Sequence, residues 1–204
     1  MSDKNTWDAI WESKELEEAN EFARRSLSRI KDANLKTLLD LGCGDGRDSL
    51  FFASEGLTVT SVDYSENGIK KLNELSKEKG LKINPIQTDM RKIDFPDNSF
   101  DVIYAHLSLH YFDDEETTML FENLFRILKQ DGLIFIKCKS VEDPLYGQGE
   151  KVGEHMYKKG HLRHFFSEEY MKEKLRDFNI LSVRKTSSEY HQYESNFIEA
   201  VATI

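Results

Sequence analysis

The chain has 204 residues, of which 39% are hydrophobic and 32% are charged, so its length suits one domain with a self-sufficient core. Its 37 acidic and 28 basic residues give a formal net charge of -9, which argues against binding to a phosphate backbone and so against a nucleic-acid partner. No apolar run approaches the roughly 18 residues of a membrane span, no signal peptide is evident, and two unrelated cysteines suit a reducing compartment, so we expect a cytoplasmic protein without a membrane partner.

Residues 1–34 are the first predicted element, an N-terminal helical cap. Trp7 and Trp11 lie one helical turn apart in this polar segment. We interpret both tryptophans as anchors of the helix in the core rather than as substrate contacts. No repeat, low-complexity tract or linker interrupts the chain, so we expect a single domain over residues 1–204.

Short apolar segments bounded by Gly, Asp or Pro predict five buried strands. In chain order these segments are LKTLLDLG, LTVTSVD, INPIQTD, FDVIYAH and GLIFIKC. Helical stretches separate them over residues 47–56, 65–80 and 113–132, and Ser65 is a predicted N-cap. Strands that alternate with helices predict an α/β fold, in which a parallel sheet is covered on both faces.

The C-terminal third of the chain departs from this alternation. Residues 180–186 and 196–204 resemble strands, and the short polar stretch between them leaves no room for a helix, so we predict an antiparallel hairpin at one edge of the sheet. Residues 139–166 are rich in Gly, His, Tyr and Lys and lack a clean period. We interpret this segment as a substrate-covering insertion, because long irregular loops in compact domains tend to carry function.

A glycine-rich turn, DLGCGDG, runs from Asp40 to Gly46 after the first predicted strand. Ligands of open α/β sheets bind beyond the carboxyl ends of the strands, where glycines let the backbone approach them closely. We predict that Asp45 and Asp48 cap the following helix, whose free N–H groups suit a bound carboxylate. Cys43 is interpreted as a packed thiol, with a redox thiol as the alternative.

The spacing of the glycines weighs against NAD. Gly42 and Gly44 fit the first two glycines of the dinucleotide fingerprint G-x-G-x-x-G, but Arg47 occupies the third position. The third glycine of that fingerprint allows the helix and the strand to pack closely, and the side chain of Arg47 does not allow this. An NAD-dependent oxidoreductase is the alternative that this substitution disfavours.

Polar residues also lie at the ends of the next three predicted strands. Asp63 ends the second strand, where a carboxylate can accept both hydroxyls of a ribose. Asp89 and Met90 follow the third strand and suit the amine and the ring face of an adenine. A purely structural capping role is the alternative for each aspartate. The fourth strand runs into His106 and His110.

Taken together, these motifs resemble the class I S-adenosylmethionine-dependent methyltransferase family over roughly residues 36 to 138. DLGCGDG matches its glycine loop, TDM at residues 88–90 its adenine-binding stretch, and PDNSFDVIYAHLSLHYF its fourth-strand region. Within that family, GCGDGRDSLFFASEGLTVTSVDYS is similar to the small-molecule group related to tellurite-resistance and thiopurine methyltransferases.

The resemblance implies S-adenosyl-L-methionine as the cofactor. It also implies a Rossmann-like three-layer sandwich, whose seven-stranded, mostly parallel sheet has an antiparallel terminal strand. Asp40 is expected at the amino-acid end of the cofactor, and the backbone at Ala105 and His106 near its methionine part. The implied cofactor-binding residues are Asp40, Gly42, Cys43, Gly44, Gly46, Asp63, Tyr64, Asp89, Met90, Ala105 and His106.

Catalysis in this family requires alignment of nucleophile, methyl group and sulfur, and a base only where the nucleophile arrives protonated. The candidate catalytic residues are His106, His110, His161, Arg163 and His164. Packing is an equal alternative for His106 and His110, and no metal is expected because no Glu or Cys completes that pair. The cationic segment around Arg163 suits an anionic acceptor.

These observations favour methyl transfer from S-adenosylmethionine to a small-molecule acceptor, with an anionic acceptor as a hypothesis. A non-catalytic S-adenosylmethionine-binding regulatory protein is the alternative from another functional class. The sequence leaves the identity of the acceptor and the oligomeric state open.

Overall fold

The computed structural model describes residues 4–190 and 193–204, which form six α-helices and ten β-strands. The helices are α1 (Lys4–Ser13), α2 (Glu21–Asp32), α3 (Arg47–Ser54), α4 (Glu66–Glu78), α5 (Asp114–Ile127) and α6 (Glu168–Lys174). The strands are β1 (Thr37–Leu41), β2 (Thr58–Asp63), β3 (Ile83–Gln87), β4 (Phe100–His106), β5 (Leu128–Lys139), β6 (Glu150–Gly153), β7 (Met156–Lys159), β8 (His161–His164), β9 (Asn179–Tyr190) and β10 (Tyr193–Thr203).

Seven strands form one sheet in the order β3-β2-β1-β4-β5-β10-β9. Strands β1 to β5 pair in parallel, whereas β10 pairs antiparallel with both β5 and β9. The predicted mostly parallel sheet with an antiparallel terminal hairpin is therefore confirmed. The strand order reverses between β1 and β4, which places the expected ligand site at the carboxyl ends of these two strands.

Alternating side chains of the central strands bury one apolar cluster on each face of the sheet. On one face, Leu38 and Tyr104 pack with Phe22 of α2 and Phe52 of α3. On the other face, Leu39 belongs to a cluster that includes buried residues of α5 and α6. The helices thus cover both faces and form the three predicted layers. No helix among the described residues is long and apolar enough to cross a membrane.

The segment predicted to lack regular structure, residues 139–166, contains the three short strands β6, β7 and β8. They form a separate antiparallel sheet, here called the small sheet, in the order β6-β7-β8. Each strand has four residues that are mostly exposed or half-buried, so no apolar period marks them in the sequence.

Two boundary predictions are wrong. Asp45 and Asp48 do not cap α3: Gly46 occupies the N-cap position without a side-chain hydrogen bond, and Asp48 lies inside the first turn. The turn needs the left-handed φ of 85° that Gly46 adopts, and only glycine takes this conformation at little cost. The helix predicted over residues 113–132 ends at Ile127, because Leu128 is already extended and begins β5.

Candidate active site

A cavity of about 360 Å³ lies at the carboxyl ends of β1, β2 and β4 and is here called the first cavity. It is lined by eight of the residues predicted to bind the cofactor, namely Asp40, Gly42, Cys43, Asp63, Tyr64, Asp89, Met90 and His106. Gly44, Gly46 and Ala105 do not line it. The fold therefore brings residues from four separate predicted motifs to one place, as expected at the point where strand order reverses.

The glycine loop is held against β2 by backbone hydrogen bonds. The N–H groups of Gly42 and Cys43 donate to the carbonyl of Val62 at 2.8 and 3.0 Å. A Cβ built on Gly42 would lie 2.3 Å from the Cβ of Ser108, so the loop passes too close to the residues after β4 to carry a side chain there. Gly44 instead faces the ring of Trp11, which lies 2.4 Å from the position of an added Cβ.

Asp63 fastens the same loop through its carboxylate. One oxygen accepts the N–H of Gly44 and the other accepts the N–H of Ser65, both at 2.8 Å. Burial raises the pKa of Asp63, and these two backbone hydrogen bonds oppose that rise. A carboxylate has about four acceptor positions and Tyr64 donates a third backbone hydrogen bond, so this side chain can hold the loop and still accept a hydroxyl group from the cavity.

Asp40 is a buried carboxyl at the base of the first cavity. The Ser49 hydroxyl donates to it at 2.5 Å and in turn accepts from Ser61 at 2.8 Å. Burial and the nearby Asp48 carboxylate raise the pKa of Asp40 to about 8, although the hydrogen bond from Ser49 opposes the shift. A cation that binds beside this carboxyl group would stabilise its ionised form and lower its pKa.

Asp89 lies at the N-terminus of a short 3₁₀ turn, Met90–Lys92, on the rim of the first cavity. Its oxygens accept hydrogen bonds from Arg91, whose guanidinium also pairs with Glu116 of α5. Burial alone raises the pKa of Asp89, but the hydrogen bonds and charge of Arg91 hold that pKa below its usual value. Asp89 is thus an ionised hydrogen-bond acceptor whose orientation Arg91 fixes. It can cap the 3₁₀ turn and bind a ligand at the same time.

Asp48 does not cap α3, and its carboxylate instead belongs to a buried hydrogen-bond network. Its oxygens accept the backbone N–H of Asn20 and the Tyr104 hydroxyl, each at 3.1 Å. Asn20 is the N-cap of α2, so this contact ties the N-terminal segment to the glycine loop. Cys43 is a neutral thiol, because burial and the carboxylates of Asp63 and Asp40 raise its pKa.

His106 ends β4 and lines the first cavity, and Ala105 beside it is fully buried in the core. The next residue, Leu107, adopts a left-handed φ of 56° while its N–H donates to the Lys137 carbonyl at 2.8 Å. Burial and the charges of Arg47 and Lys137 lower the pKa of His106 well below its usual value. The imidazole is therefore neutral near pH 7 and a weaker base than an ordinary histidine.

The other predicted catalytic residues do not line the first cavity. His110 is buried, and its Nδ1 has no hydrogen-bond partner within the described residues. His164 is buried against Tyr170. Arg163 does not line the first cavity, and Leu162 is the one residue of β8 that does. His161 packs instead on Trp7, with ring centroids 5.6 Å apart.

The tryptophans of α1, predicted as core anchors, line the first cavity instead. Trp7 packs edge-on against Tyr111, with ring centroids 4.8 Å apart, so α1 and the small sheet meet over the cavity through Trp7 and His161. A signal in the sequence could have shown this: besides the two tryptophans, α1 has only Ala9 and Ile10 as apolar residues, which is too few for a core face, and Ile10 is exposed.

The charge of the first cavity is strongly acidic. Seven carboxylates and three cationic side chains line it, on Asp40, Asp45, Asp48, Asp63, Asp89, Asp113 and Glu116 and on Lys14, Arg47 and Arg91. Such a wall repels a diphosphate and attracts a cationic ligand. Within the described parts of the chain, no cluster of three or more His, Cys, Asp and Glu side chains is arranged to hold a metal ion.

A second cavity of about 600 Å³ adjoins the first. Arg47, His106 and Leu107 line both cavities. The remaining walls of the second cavity come from the segment around Asn20 to Arg25, from β5 and from the β9–β10 hairpin. The two cavities therefore adjoin each other at these residues, and His106 lies at their junction.

The fold and the glycine loop define the class of protein. Residues 38–132 match the family model described as "Methyltransferase domain", and this span contains the loop, Asp63, Asp89 and His106. Residues 38–132 are therefore similar to a methyltransferase domain, in keeping with the resemblance to the class I S-adenosylmethionine-dependent methyltransferases. The resemblance inferred from the motifs is confirmed.

Curated relatives agree with this assignment. A protein of Geobacillus sp. (strain WCH70) that is named as a methyltransferase is 30% identical over 139 residues, which are 65% of this chain and 56% of the relative. The Haemophilus influenzae protein "Probable S-adenosyl-L-methionine-dependent methyltransferase TehB" is 26% identical over 163 residues, which are 78% of this chain and 51% of that protein. The chain thus spans about half the length of these curated relatives.

Solved structures show the same fold. The crystal structure of Haemophilus influenzae TehB matches with a TM-score of 0.74 and 22% identity, over 97% of this chain and 66% of that chain. A methyltransferase structure from Methanosarcina mazei matches with a TM-score of 0.76 and 20% identity, over 92% and 98% of the two chains.

Proposed function

We propose that this chain binds S-adenosylmethionine in the first cavity and transfers its methyl group to a small-molecule acceptor. The observation that carries the proposal is the acidic wall of this cavity, where seven carboxyl side chains, including that of Asp40 with its raised pKa, face three cations beside a glycine loop. S-adenosylmethionine has a sulfonium and an ammonium, so it complements that wall, whereas the diphosphate of NAD does not.

The donor set of the first cavity fits each part of this cofactor. Asp40 would pair with the ammonium, because a cation stabilises the ionised form of a carboxyl whose pKa is raised to about 8. Asp63 would accept the ribose hydroxyls with the lone pairs that the loop leaves free. Asp89 and Met90 would hold the adenine, as the sequence predicts, and the aromatic rings of Trp7 and Trp11 would face a cation favourably.

When bound, the cofactor supplies a methyl group on a sulfonium: the carbon–sulfur bond breaks, its electron pair returns to sulfur, and a lone pair of the acceptor bonds to the methyl carbon. The chain's own task is to align the acceptor with that bond and to keep water out. His106 lines both cavities and is the candidate to take the proton from an acceptor that arrives protonated, although its lowered pKa makes it a weak base. In this proposal α1 and residues 139–166 cover the site.

The remaining predictions about the whole protein are part of this proposal. The acceptor is an anionic small molecule, the protein is cytoplasmic, and neither nucleic acid nor membrane is a partner, in keeping with the net charge of -9. The predicted single domain over residues 1–204 belongs here too.

Calorimetric titration with S-adenosylhomocysteine and with NAD tests the cofactor assignment. We expect S-adenosylhomocysteine to bind and NAD not to bind. The variant D63N should weaken S-adenosylhomocysteine at least tenfold, whereas D32N, at an exposed position of α2, should leave its affinity unchanged. Tighter binding of NAD, or an unchanged affinity in D63N, would contradict the proposal.

Radiolabelled S-adenosylmethionine then tests the reaction with carboxylates, thiols and metalloid oxyanions as acceptors. We expect label in at least one product. Cofactor binding without any transfer would favour the regulatory alternative over an enzyme.

A further inference from the structure

The second cavity contains a cluster of charged side chains around one buried carboxylate, outside the proposed cofactor site. The carboxylate of Glu199, which is 2% exposed, accepts hydrogen bonds from Arg25 at 2.9 and 3.0 Å and from Arg184 at 2.9 Å. Lys137 also pairs with it at 3.2 Å. Three cations therefore surround one buried carboxylate, and the inner wall of the second cavity has an excess of positive charge.

Arg47 also lines this cavity, so the cavity's four cations formally balance its four carboxylates. The other three carboxylates belong to Glu17, Glu21 and Glu189, which are all exposed. Water and salt screen exposed charges strongly, whereas the buried Lys137 and the half-buried Arg25 beside Glu199 are screened less. Burial lowers the pKa of Lys137 although Glu199 raises it, so one carboxylate does not offset the desolvation of this ammonium.

Two polar atoms of the second cavity also have no partner. Arg25 Nε and Thr186 Oγ1 are buried without a hydrogen bond in the part of the chain that the structure describes. The carboxylate of Glu21 lies 3.6 Å from Arg25 Nε, beyond hydrogen-bonding distance. A buried donor without a partner is costly, and a bound ligand that accepts hydrogen bonds would remove this cost.

We propose that the second cavity is the acceptor site and that the acceptor is a small organic carboxylate held by Arg25, Lys137 and Arg184. The inference rests on the proposed methyl transfer and adds the class and the location of the acceptor. Guanidinium groups suit the planar geometry of a carboxylate, and the junction at His106 places the bound molecule next to the first cavity. The anion site is thus formed by the sheet and α2, and Arg163 of the small sheet has no part in it.

Binding of a matched pair of probes tests the assignment. Benzoate is an anion and benzamide is its neutral analogue of nearly equal shape. Each is titrated, by calorimetry, into protein saturated with S-adenosylhomocysteine. We expect benzoate to bind at least tenfold more tightly than benzamide. R184Q should weaken benzoate at least fivefold, and R184K, which keeps the positive charge, should recover part of the loss.

Arg24 provides the matched control, because its side chain is 51% exposed against 54% for Arg184 and it lines neither cavity. R24Q should bind benzoate like the unsubstituted protein. Equal affinities for benzoate and benzamide, or no loss in R184Q, would overturn the acceptor assignment. Because every titration begins with S-adenosylhomocysteine, failure of the cofactor itself to bind is seen separately and would count against the proposed function.

Discussion

The carboxylate of Asp8 accepts a hydrogen bond from the hydroxyl of Ser65 at 2.7 Å and so joins α1 to the N-terminus of α4. The same oxygen accepts the N–H of Glu66 at 2.8 Å. Ser65 is also the N-cap of α4 and follows the loop-binding residue Asp63 by two positions. The helix that places Trp7 and Trp11 over the first cavity is therefore fastened to the strand end that organises the glycine loop.

Removal of this fastening should weaken cofactor binding without unfolding the chain. We expect D8A to lower the affinity for S-adenosylhomocysteine about fivefold to tenfold, because two to three hydrogen bonds of about 1 kcal/mol each hold α1 in place. Quenching of tryptophan fluorescence during titration measures this directly. E12A, an exposed change on the same helix, is the control, and an equal effect of both substitutions would count against a role for the Asp8 contact.

We expect that Gly42 tolerates no side chain. A comparison with Gly56 separates the effect of backbone strain from the effect of steric crowding. G42A places a Cβ 2.3 Å from Ser108 at a φ of 78°, whereas G56A has a φ of 96° and open space. Both substitutions lower the free energy of unfolding by about 1 kcal/mol or more, because alanine disfavours a positive φ. We expect only G42A to lose cofactor binding more than tenfold, by equilibrium dialysis. Binding by G42A at the level of G56A would show that the loop is less crowded than described.

Asp40 should make stability fall as pH rises. Its pKa is raised to about 8, so between pH 5 and pH 8 the folded protein holds a proton that the unfolded chain has lost. The free energy of unfolding should therefore decline by about 1.4 kcal/mol per pH unit from this group alone. Urea denaturation of the unsubstituted chain and of D40N should show the difference. Parallel pH profiles of the two proteins would refute the raised pKa.

The same group should couple cofactor binding to proton release. An ammonium beside Asp40 favours the ionised carboxylate, so affinity for S-adenosylhomocysteine should rise as much as tenfold per pH unit between pH 5.5 and 7. D40N should bind more weakly and show no such dependence. Calorimetry in two buffers of different ionisation enthalpy reports the proton directly, and an absence of proton release would contradict the pairing.

Asp101 gives the opposite pH dependence far from the site. It accepts from Thr37 and Lys129, both at 2.8 Å, and although burial acts to raise it, these and other hydrogen bonds lower the pKa of Asp101 to about 2. Its stabilising effect is complete above an ordinary pKa of 3.8 and is lost as the pH falls toward 2. The stability gap between the unsubstituted chain and D101N should narrow by about 1 kcal/mol from pH 6 to pH 3.

The sequence predicts which residues meet at the first cavity, because each contribution there is local. Gly42, Asp63 and Asp89 each follow a strand whose apolar residues are evident, and parallel strands bring their ends together without further information. The second cavity depends on contacts between distant segments. Arg25 and Glu199 are 174 positions apart, and no local pattern marks them as partners. The same holds for Trp7, whose neighbours lie in the turn after β4 and in β8.

The small sheet and α1 lie outside residues 38–132, the span shared with the family model. Helix α2 and the β9–β10 hairpin, which line the second cavity, lie outside that span as well. Under the proposed function, substitutions in α2 or in the hairpin would change what faces the acceptor without altering the strands that carry the glycine loop, Asp63 and Asp89. Exchange of α2 and the hairpin between relatives is, by the same reasoning, a practical route to chimeric proteins with altered acceptor specificity.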